Sequence, residues 1–344
     1  MCGIVGYIGS RQAYPIIING LKRLEYRGYD SAGLVLAKED KFELVKTKGK
    51  VSDLEDKSTD IDHTPTVGIG HTRWATHGVP NDVNSHPHLS NNGRIVLVHN
   101  GIIENYDTLK QLLVEKGFTF YSETDTEVLV NFIQYLQDEN KLNLTDAVRL
   151  ALNQVIGAYA IAVLDKENTD EIVVGRLGSP LAIGIGKNEY FIASDASPFI
   201  EFTKDAVYLD DGEMATITRG KEVDIRKIEN NSEVTPNIQE LQLNIEQIEK
   251  GGYEHFMLKE IHEQPRSIYD TLRGRLLVDE GIIKMAGIWD HQEKFLNAKR
   301  IIIVACGTSY HAGLIAEYMI EDFARIPVEV EYACLLYTSD AADD

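Results

Sequence analysis

MCGIVGYIG, residues 1–9, places a cysteine directly behind the initiator methionine and follows it with an apolar run broken only by glycines. The small side chain of Cys2 permits removal of Met1, which would leave a thiol and a free α-amine on one residue. A thiol is the most nucleophilic side chain near neutral pH, although mostly protonated at its usual pKa of about 8.5. An amine titrating near pH 8 can take that proton, so one residue supplies nucleophile and base together. The plainer reading, which the dipeptide alone favours, is a small buried hydrophobe at the head of a strand. Gly3, Gly6 and Gly9 would in either case let another backbone or a substrate come close.

Outward from that strand, Ile16, Ile17, Gly20, Leu21 and Leu24 recur at helical spacing. GLVLA (33–37) and FELVKT (42–47), joined by the charged turn KEDK, predict a hairpin. TVGIGHTRW (66–74) predicts a strand leading into a long polar loop to Gly93, and RIVLVHNG (94–101) a strand ending at Asn100-Gly101. Helices are expected over 106–116, 126–137 and 145–155, the second opened by the capping run SETDTE (122–127). Alternating apolar segments then run from AYAIAVLD (158–165) to KEVDI (221–225). Strands, then helices, then strands suggest two sheets covered by helices, an α/β/β/α layered domain over 2–239. The chain is polar from about Asn230 to Gly252, and within it 240–252 reads as a linker. An amphipathic helix follows, interrupted at Pro265. KRIIIVACGTSYHAGLIAEYMIEDFARIPVEVEYA (299–333) reads as a single βαβ unit opening a parallel-sheet domain.

Lys and Arg number 34 against 54 Asp and Glu, a net charge of −20, and no basic run offsets it. That balance excludes nucleic-acid and anionic-membrane partners. Three scattered cysteines (Cys2, Cys306, Cys334) do not make a disulfide framework. The absence of a signal core or spanning run places the chain in the cytoplasm.

HTRWATHG (71–78) packs Arg73, Trp74 and two histidines behind a strand. Arg73 could fork onto a carboxylate and Trp74 could cover a substrate; equally, the run could be a surface loop with an exposed ion pair. His71, His77, His86, His88 and His99 invite a zinc reading, but no acid or cysteine joins them at ligand spacing, and no metal is expected. Asn100-Gly101 offers an amide and a backbone N–H, the donors that stabilise an oxyanion, yet such dipeptides are usually turns. Asp125 could bind an ammonium, though helix capping is the better local reading. CGTS (306–309) joins strand to helix and could take a phosphate, or simply cap.

Together, CGIVGYIG, EYRGYDSAG, HTRWATHG, NSHPH, VHNGIIEN, SETDTE and ASD, in this order, resemble the class II glutaminase domain of the glutamine–fructose-6-phosphate aminotransferase family. HFMLKEIHEQP and ACGTS resemble the start of that family's sugar-isomerase (SIS) half, over 253–333. The likeness implies an α+β fold, a four-layer α/β/β/α N-terminal-nucleophile sandwich, followed by the truncated start of an α/β SIS domain. It implies Cys2 as nucleophile, Asn100 and Gly101 as oxyanion hole, and Arg73 and Asp125 on the glutamine α-carboxylate and α-ammonium. Thr76, His77, His86 and Arg27 would line the pocket, and Trp74 would gate an ammonia channel. Cys306, Gly307, Thr308 and Ser309 would meet a sugar phosphate. No organic cofactor is implied; L-glutamine and D-fructose 6-phosphate are the implied substrates, with a homodimer for the full-length protein. CLLYTSDAADD (334–344) departs from the family pattern, so glutamine hydrolysis without sugar amination is expected of this polypeptide. A non-catalytic glutamine or sugar-phosphate binding fragment is the alternative. Phosphoribosyl transfer is disfavoured, since the residues present hold no acidic pyrophosphate-binding strand.

Overall fold

The computed structural model describes residues 2–39, 41–74, 78–241, 253–272, 276–277, 281–283 and 292–333. Thr76, His77 and the 334–344 tail, all singled out above, lie outside the described residues, as does the Arg27 side chain. The chain divides into two compact units, Met1–Gly252 and Tyr253–Asp344.

In the first unit, strand β1 (Gly3–Ile8) is followed by helix α1 (Ala13–Leu24), a 3-10 turn Glu25–Arg27, and the hairpin β2 (Ser31–Lys38) and β3 (Lys41–Lys48). Helix α2 (Val51–Lys57) and strands β4 (Val67–Arg73), β5 (His88–Leu89) and β6 (Ile95–Ile103) come next. Three helices follow, α3 (Tyr106–Glu115), α4 (Asp125–Asn140) and α5 (Leu144–Leu152). The unit closes with β7 (Gly157–Asp165), β8 (Asn168–Leu177), β9 (Ala182–Gly186), β10 (Glu189–Ala193), β11 (Asp205–Tyr208), β12 (Glu213–Thr218) and β13 (Asp224–Lys227). Two short edge strands, β14 (Glu233–Val234) and β15 (Gln239–Glu240), end it.

These strands form two sheets, ordered β15-β11-β9-β10-β1-β4-β2-β3 and β14-β13-β12-β8-β7-β6-β5, antiparallel at every pairing. Because side chains alternate along a strand, each sheet has one face for its neighbour and one for helices. Ile4, Ile8, Val67, Ile69, Val96, Val98, Ala160 and Ala162 fill the space between the sheets. Val5, Tyr7, Leu34 and Leu36 pack on the other face against Ile17 and Leu21 of α1 and Leu54 of α2. Ile95, Leu97, Ile161 and Val163 pack against Leu113, Leu129, Phe132 and Val148 of α3, α4 and α5. The result is the four-layer α/β/β/α sandwich expected from the order of elements. Burying each large aliphatic contributes about 2 kcal/mol, so all three cores are substantial.

The structure departs from the sequence reading at three places in these elements. The first domain runs slightly past residue 239, since β15 reaches Glu240 and Leu241 is buried in the α1-side core. Thr124, not Asp125, caps α4, its side chain accepting from the Glu127 N–H. In the second unit, helix α6 (Phe256–Leu272) runs unbroken through Pro265. It is exposed around the proline, so water can take the Ile261 carbonyl that the missing N–H leaves unpaired.

The second unit also holds short strands β16 (Leu276–Leu277) and β17 (Ile282–Ile283) and helix α7 (Gln292–Leu296). Strand β18 (Ile301–Ala305) leads into helix α8 (Gly307–Ala324) and returns as β19 (Val328–Tyr332), parallel to β18. This is the βαβ unit foreseen in the sequence. Among the described residues no helix is long and apolar enough to cross a membrane.

Candidate active site

The same alternation that builds the core also builds the site. Inter-sheet positions Ile4, Ile69, Val98 and Ile192 are apolar. One step further along each strand, that face carries Cys2, His71, Asn100 and Ser194, and Arg73 follows His71 at the end of β4. The register puts Ile4 opposite His71 and Gly3 opposite Thr72, which brings Cys2 level with Arg73. Four strands from two sheets thus bring polar side chains to one mouth of an otherwise apolar gap.

Cys2 Sγ accepts a hydrogen bond from the Trp74 N–H at 3.1 Å and lies 3.5 Å from the Trp74 carbonyl. Burial pushes the thiol pKa up, opposed by the Trp74 N–H and the positive charge of Arg73. The Asn100 amide nitrogen donates to the Cys2 carbonyl at 3.3 Å and to Ser194 Oγ at 2.9 Å. Ser194 Oγ in turn accepts the Ile4 N–H at 2.7 Å, tying β1 to the turn after β10. Gly101 takes φ +129, and a Cβ there would lie 2.0 Å from the Ala158 carbonyl oxygen.

Arg73 is buried and donates to the Gly78 carbonyl at 3.4 Å. The Asp125 carboxylate, released from capping by Thr124, accepts the Ile103 N–H at 2.8 Å just beyond Asn100-Gly101. Trp74 is 55% exposed and lies over Gly28, whose φ of +104 and lack of a side chain admit the indole.

The histidines divide into two groups. His99 faces the helical side and meets Thr126 Oγ1 at 3.0 Å. His71, His86 and His88 form a buried file. His71 Nε2 is 2.9 Å from Asn100 Oδ1, His86 Nδ1 is 3.1 Å from His71 Nδ1, and His88 Nε2 is 3.1 Å from Thr124 Oγ1. His86 therefore stands behind His71. His71 Nε2 is engaged by Asn100 and His88 Nε2 by Thr124, and among the described residues no group of three ligand-type side chains is arranged to hold a metal. Sequence reading assigned no role to His71 or Ser194. The ASD run was the one signal for Ser194.

Burial drives the His71 pKa down to about 3 and those of His86 and His88 well below 6.5, so all three are neutral at physiological pH. Acid stability follows from the sign of this shift. Below pH 6.5 the unfolded histidines take up protons that the folded ones refuse, so stability is lost as pH falls. At pH 5 His71 alone costs about 2 kcal/mol. The melting temperature is expected to fall by about 5 °C or more between pH 6.5 and 5, and less steeply in His71→Gln. A flat profile measured by thermal melts would refute neutral burial of the file.

In the second unit Cys306 occupies the N-cap position of α8, Gly307 takes φ +59, and Thr308 and Ser309 are exposed at the helix start.

A helix-covered double sheet with a cysteine leading its first strand into a donor-lined mouth defines the N-terminal-nucleophile amidotransferase class. The glutamine amidotransferase domain model matches residues 55–242, and the SIS domain model matches 294–340. The chain belongs to the glutamine amidotransferase family. It is 58% identical over 334 residues to the glutamine–fructose-6-phosphate aminotransferase (isomerizing) of Bacteroides thetaiotaomicron, covering 97% of this chain and 54% of that protein. The Pyrococcus horikoshii protein of the same name is 46% identical over 337 residues, again 97% of this chain and 54% of the relative. The chain thus spans about half the length of these curated relatives. The solved allosteric regulatory enzyme of purine biosynthesis superposes with a TM-score of 0.58 at 30% identity, over 67% of this chain and 50% of that one.

Proposed function

We propose that the chain releases ammonia from L-glutamine through a Cys2 glutamyl thioester. Its reading as the glutamine-hydrolysing part of a glutamine–fructose-6-phosphate aminotransferase is supported by the relatives' printed names. The single observation that carries the proposal is the meeting of Cys2 and the Asn100 amide at one end of the inter-sheet gap.

The free α-amine of processed Cys2 takes the thiol proton as sulfur attacks the side-chain amide carbon. Charge developing on the amide oxygen is met by Asn100 Nδ2 and the Gly101 N–H; one such donor lowers the barrier by about 3 kcal/mol. The C–N bond breaks, the departing nitrogen takes a proton from the amine, and ammonia leaves. Water then cleaves the thioester, giving glutamate and restoring the thiol. Arg73 holds the substrate α-carboxylate and Asp125 its α-ammonium, with Arg27, Thr76 and His77 around the pocket and His86 behind His71. Trp74, half-exposed at the mouth, covers the substrate and gates the ammonia path. In the longer protein, ammonia passes to D-fructose 6-phosphate, whose phosphate meets Cys306, Gly307, Thr308 and Ser309. Homodimeric assembly and a cytoplasmic setting complete this reading.

The test is glutamate release from glutamine by the purified, processed chain, together with the site of labelling by a glutamine-like diazoketone. Glutamate with an adduct on residue 2 is expected. Glutamine binding without glutamate release would favour a binding module instead. Asn100→Ala is expected to lower kcat by about a hundredfold or more, and an unchanged kcat would remove Asn100 from the oxyanion hole.

A further inference from the structure

The orientation of the Asn100 amide determines whether the mouth of the gap offers a donor or an acceptor, and three neighbours meet that amide. Its nitrogen reaches the Cys2 carbonyl and Ser194 Oγ, and its oxygen faces His71 Nε2 at 2.9 Å. Turned over, the amide would set its oxygen against the Cys2 carbonyl, two acceptors in contact, and present no donor to a substrate oxygen. Ser194 does not decide between the two orientations, because a hydroxyl can donate or accept. His71 can decide. As the Nε2–H tautomer it donates to the amide oxygen and holds the nitrogen toward Cys2. As the Nδ1–H tautomer its bare Nε2 would attract the amide nitrogen and turn the amide over.

His86 packs against the other side of His71. Its Nδ1 lies 3.1 Å from His71 Nδ1 and 3.2 Å from Nε2, with the rings edge-on at 4.2 Å between centroids. His86 Nδ1 is therefore almost equidistant from the two His71 nitrogens and favours neither tautomer, so the contact with Asn100 is the one that distinguishes them. Both rings are buried, so neither tautomer is set by solvent.

The geometry points to His71 as a positioning residue for glutamine hydrolysis: as the Nε2–H tautomer, it holds the Asn100 amide with its nitrogen toward Cys2. This rests on the glutaminase reading above only for its effect on rate; the tautomer and the amide orientation stand apart from it. His71 touches no reacting atom. Its removal therefore acts on the transition state through Asn100 and leaves both substrate capture by Arg73 and Asp125 and the chemistry of the thiol in place.

The experiment uses the full, processed chain and three readouts. His71→Leu, close to isosteric and without a donor, is expected to lower kcat for glutamate release by about a hundredfold. Its KM for glutamine should stay within about threefold, and Cys2 should be alkylated by iodoacetamide at the unaltered rate. His71→Gln, which restores an N–H near the Nε2 position, should recover kcat to within about tenfold of the parent. An unchanged kcat in His71→Leu, or a loss shared equally by alkylation and KM, would overturn the assignment. The third readout needs no turnover and no folded variant: two-bond 1H–15N correlations of the parent chain should show His71 protonated on Nε2 and bare on Nδ1. The opposite tautomer would sink the proposal on its own. A parent chain that releases no glutamate but shows the Nε2–H tautomer would refute the glutaminase reading while supporting this arrangement.

Discussion

Glutamine turnover is expected to fall by about four orders of magnitude when Cys2 is replaced by alanine, with the fold intact. The size follows from the loss of the covalent route, since no other thiol stands at the mouth of the gap among the described residues, and Ser194 Oγ there is taken up as acceptor by the Ile4 N–H and the Asn100 amide. Cys306, the other described cysteine, belongs to the second unit. Stability should scarcely change, because the thiol's polar contacts are both to the backbone of exposed Trp74. The same site makes a stricter demand. Burial raises the thiol pKa, so thiolate is scarce and attack needs a base. A free amine on Cys2 provides one, whereas a Cys2 nitrogen locked in a peptide to Met1 does not. A preparation that retains Met1, verified by intact mass, is expected to turn over glutamine slower by at least about a hundredfold. Full speed with the methionine in place would end the role of the amine, and full speed in Cys2→Ala would end that of the thiol.

The layers were legible because strand alternation and helical spacing are written locally. Ile4 and Ile8 against Val5 and Tyr7, or Val96 and Val98 against Ile95 and Leu97, announce two-sided strands wherever the partner faces lie. What sequence cannot write is the register of one sheet over another. That Asn100 of β6 should meet Cys2 just ahead of β1, and that His71 of β4 should lie between Asn100 and His86, depends on how two sheets stack. The motifs were therefore found without their connections. His86 was expected in the pocket wall and stands behind His71, while Ser194 went unassigned although it ties β1 to Asn100. Asp125 shows the reverse effect. A carboxylate at a helix start reads as a cap, and only the structure shows that Thr124 does the capping and leaves Asp125 to meet the Ile103 N–H. Pro265 misled for another reason, since an exposed helix tolerates the lost hydrogen bond that a buried one would not.

The second large effect is expected from Gly101→Ala, where backbone and chemistry coincide. Gly101 sits at φ +129, outside the range that L side chains readily adopt, and its missing Cβ would lie 2.0 Å from the Ala158 carbonyl oxygen. That oxygen cannot yield cheaply: Ala158 pairs with Ile102 in the β6–β7 ladder, so moving it opens the strand pairing beside Asn100. Torsional strain and the forced shift together are expected to cost about 3 kcal/mol or more, lowering the melting temperature by about 10 °C. The shift also carries the Gly101 N–H away from the place where the amide oxygen of glutamine would develop charge, so kcat should drop by at least about a hundredfold. Gly93→Ala is the control that separates the two causes. Gly93 has φ +67 with nothing within 4 Å of a built Cβ, so only the torsional cost applies, about 1 kcal/mol, with turnover unchanged. Thermal melts and glutamate assays on the pair decide the matter. If Gly101→Ala behaves like Gly93→Ala in both, the close approach of β6 to β7 does not hold the oxyanion site, and the assignment of Gly101 fails.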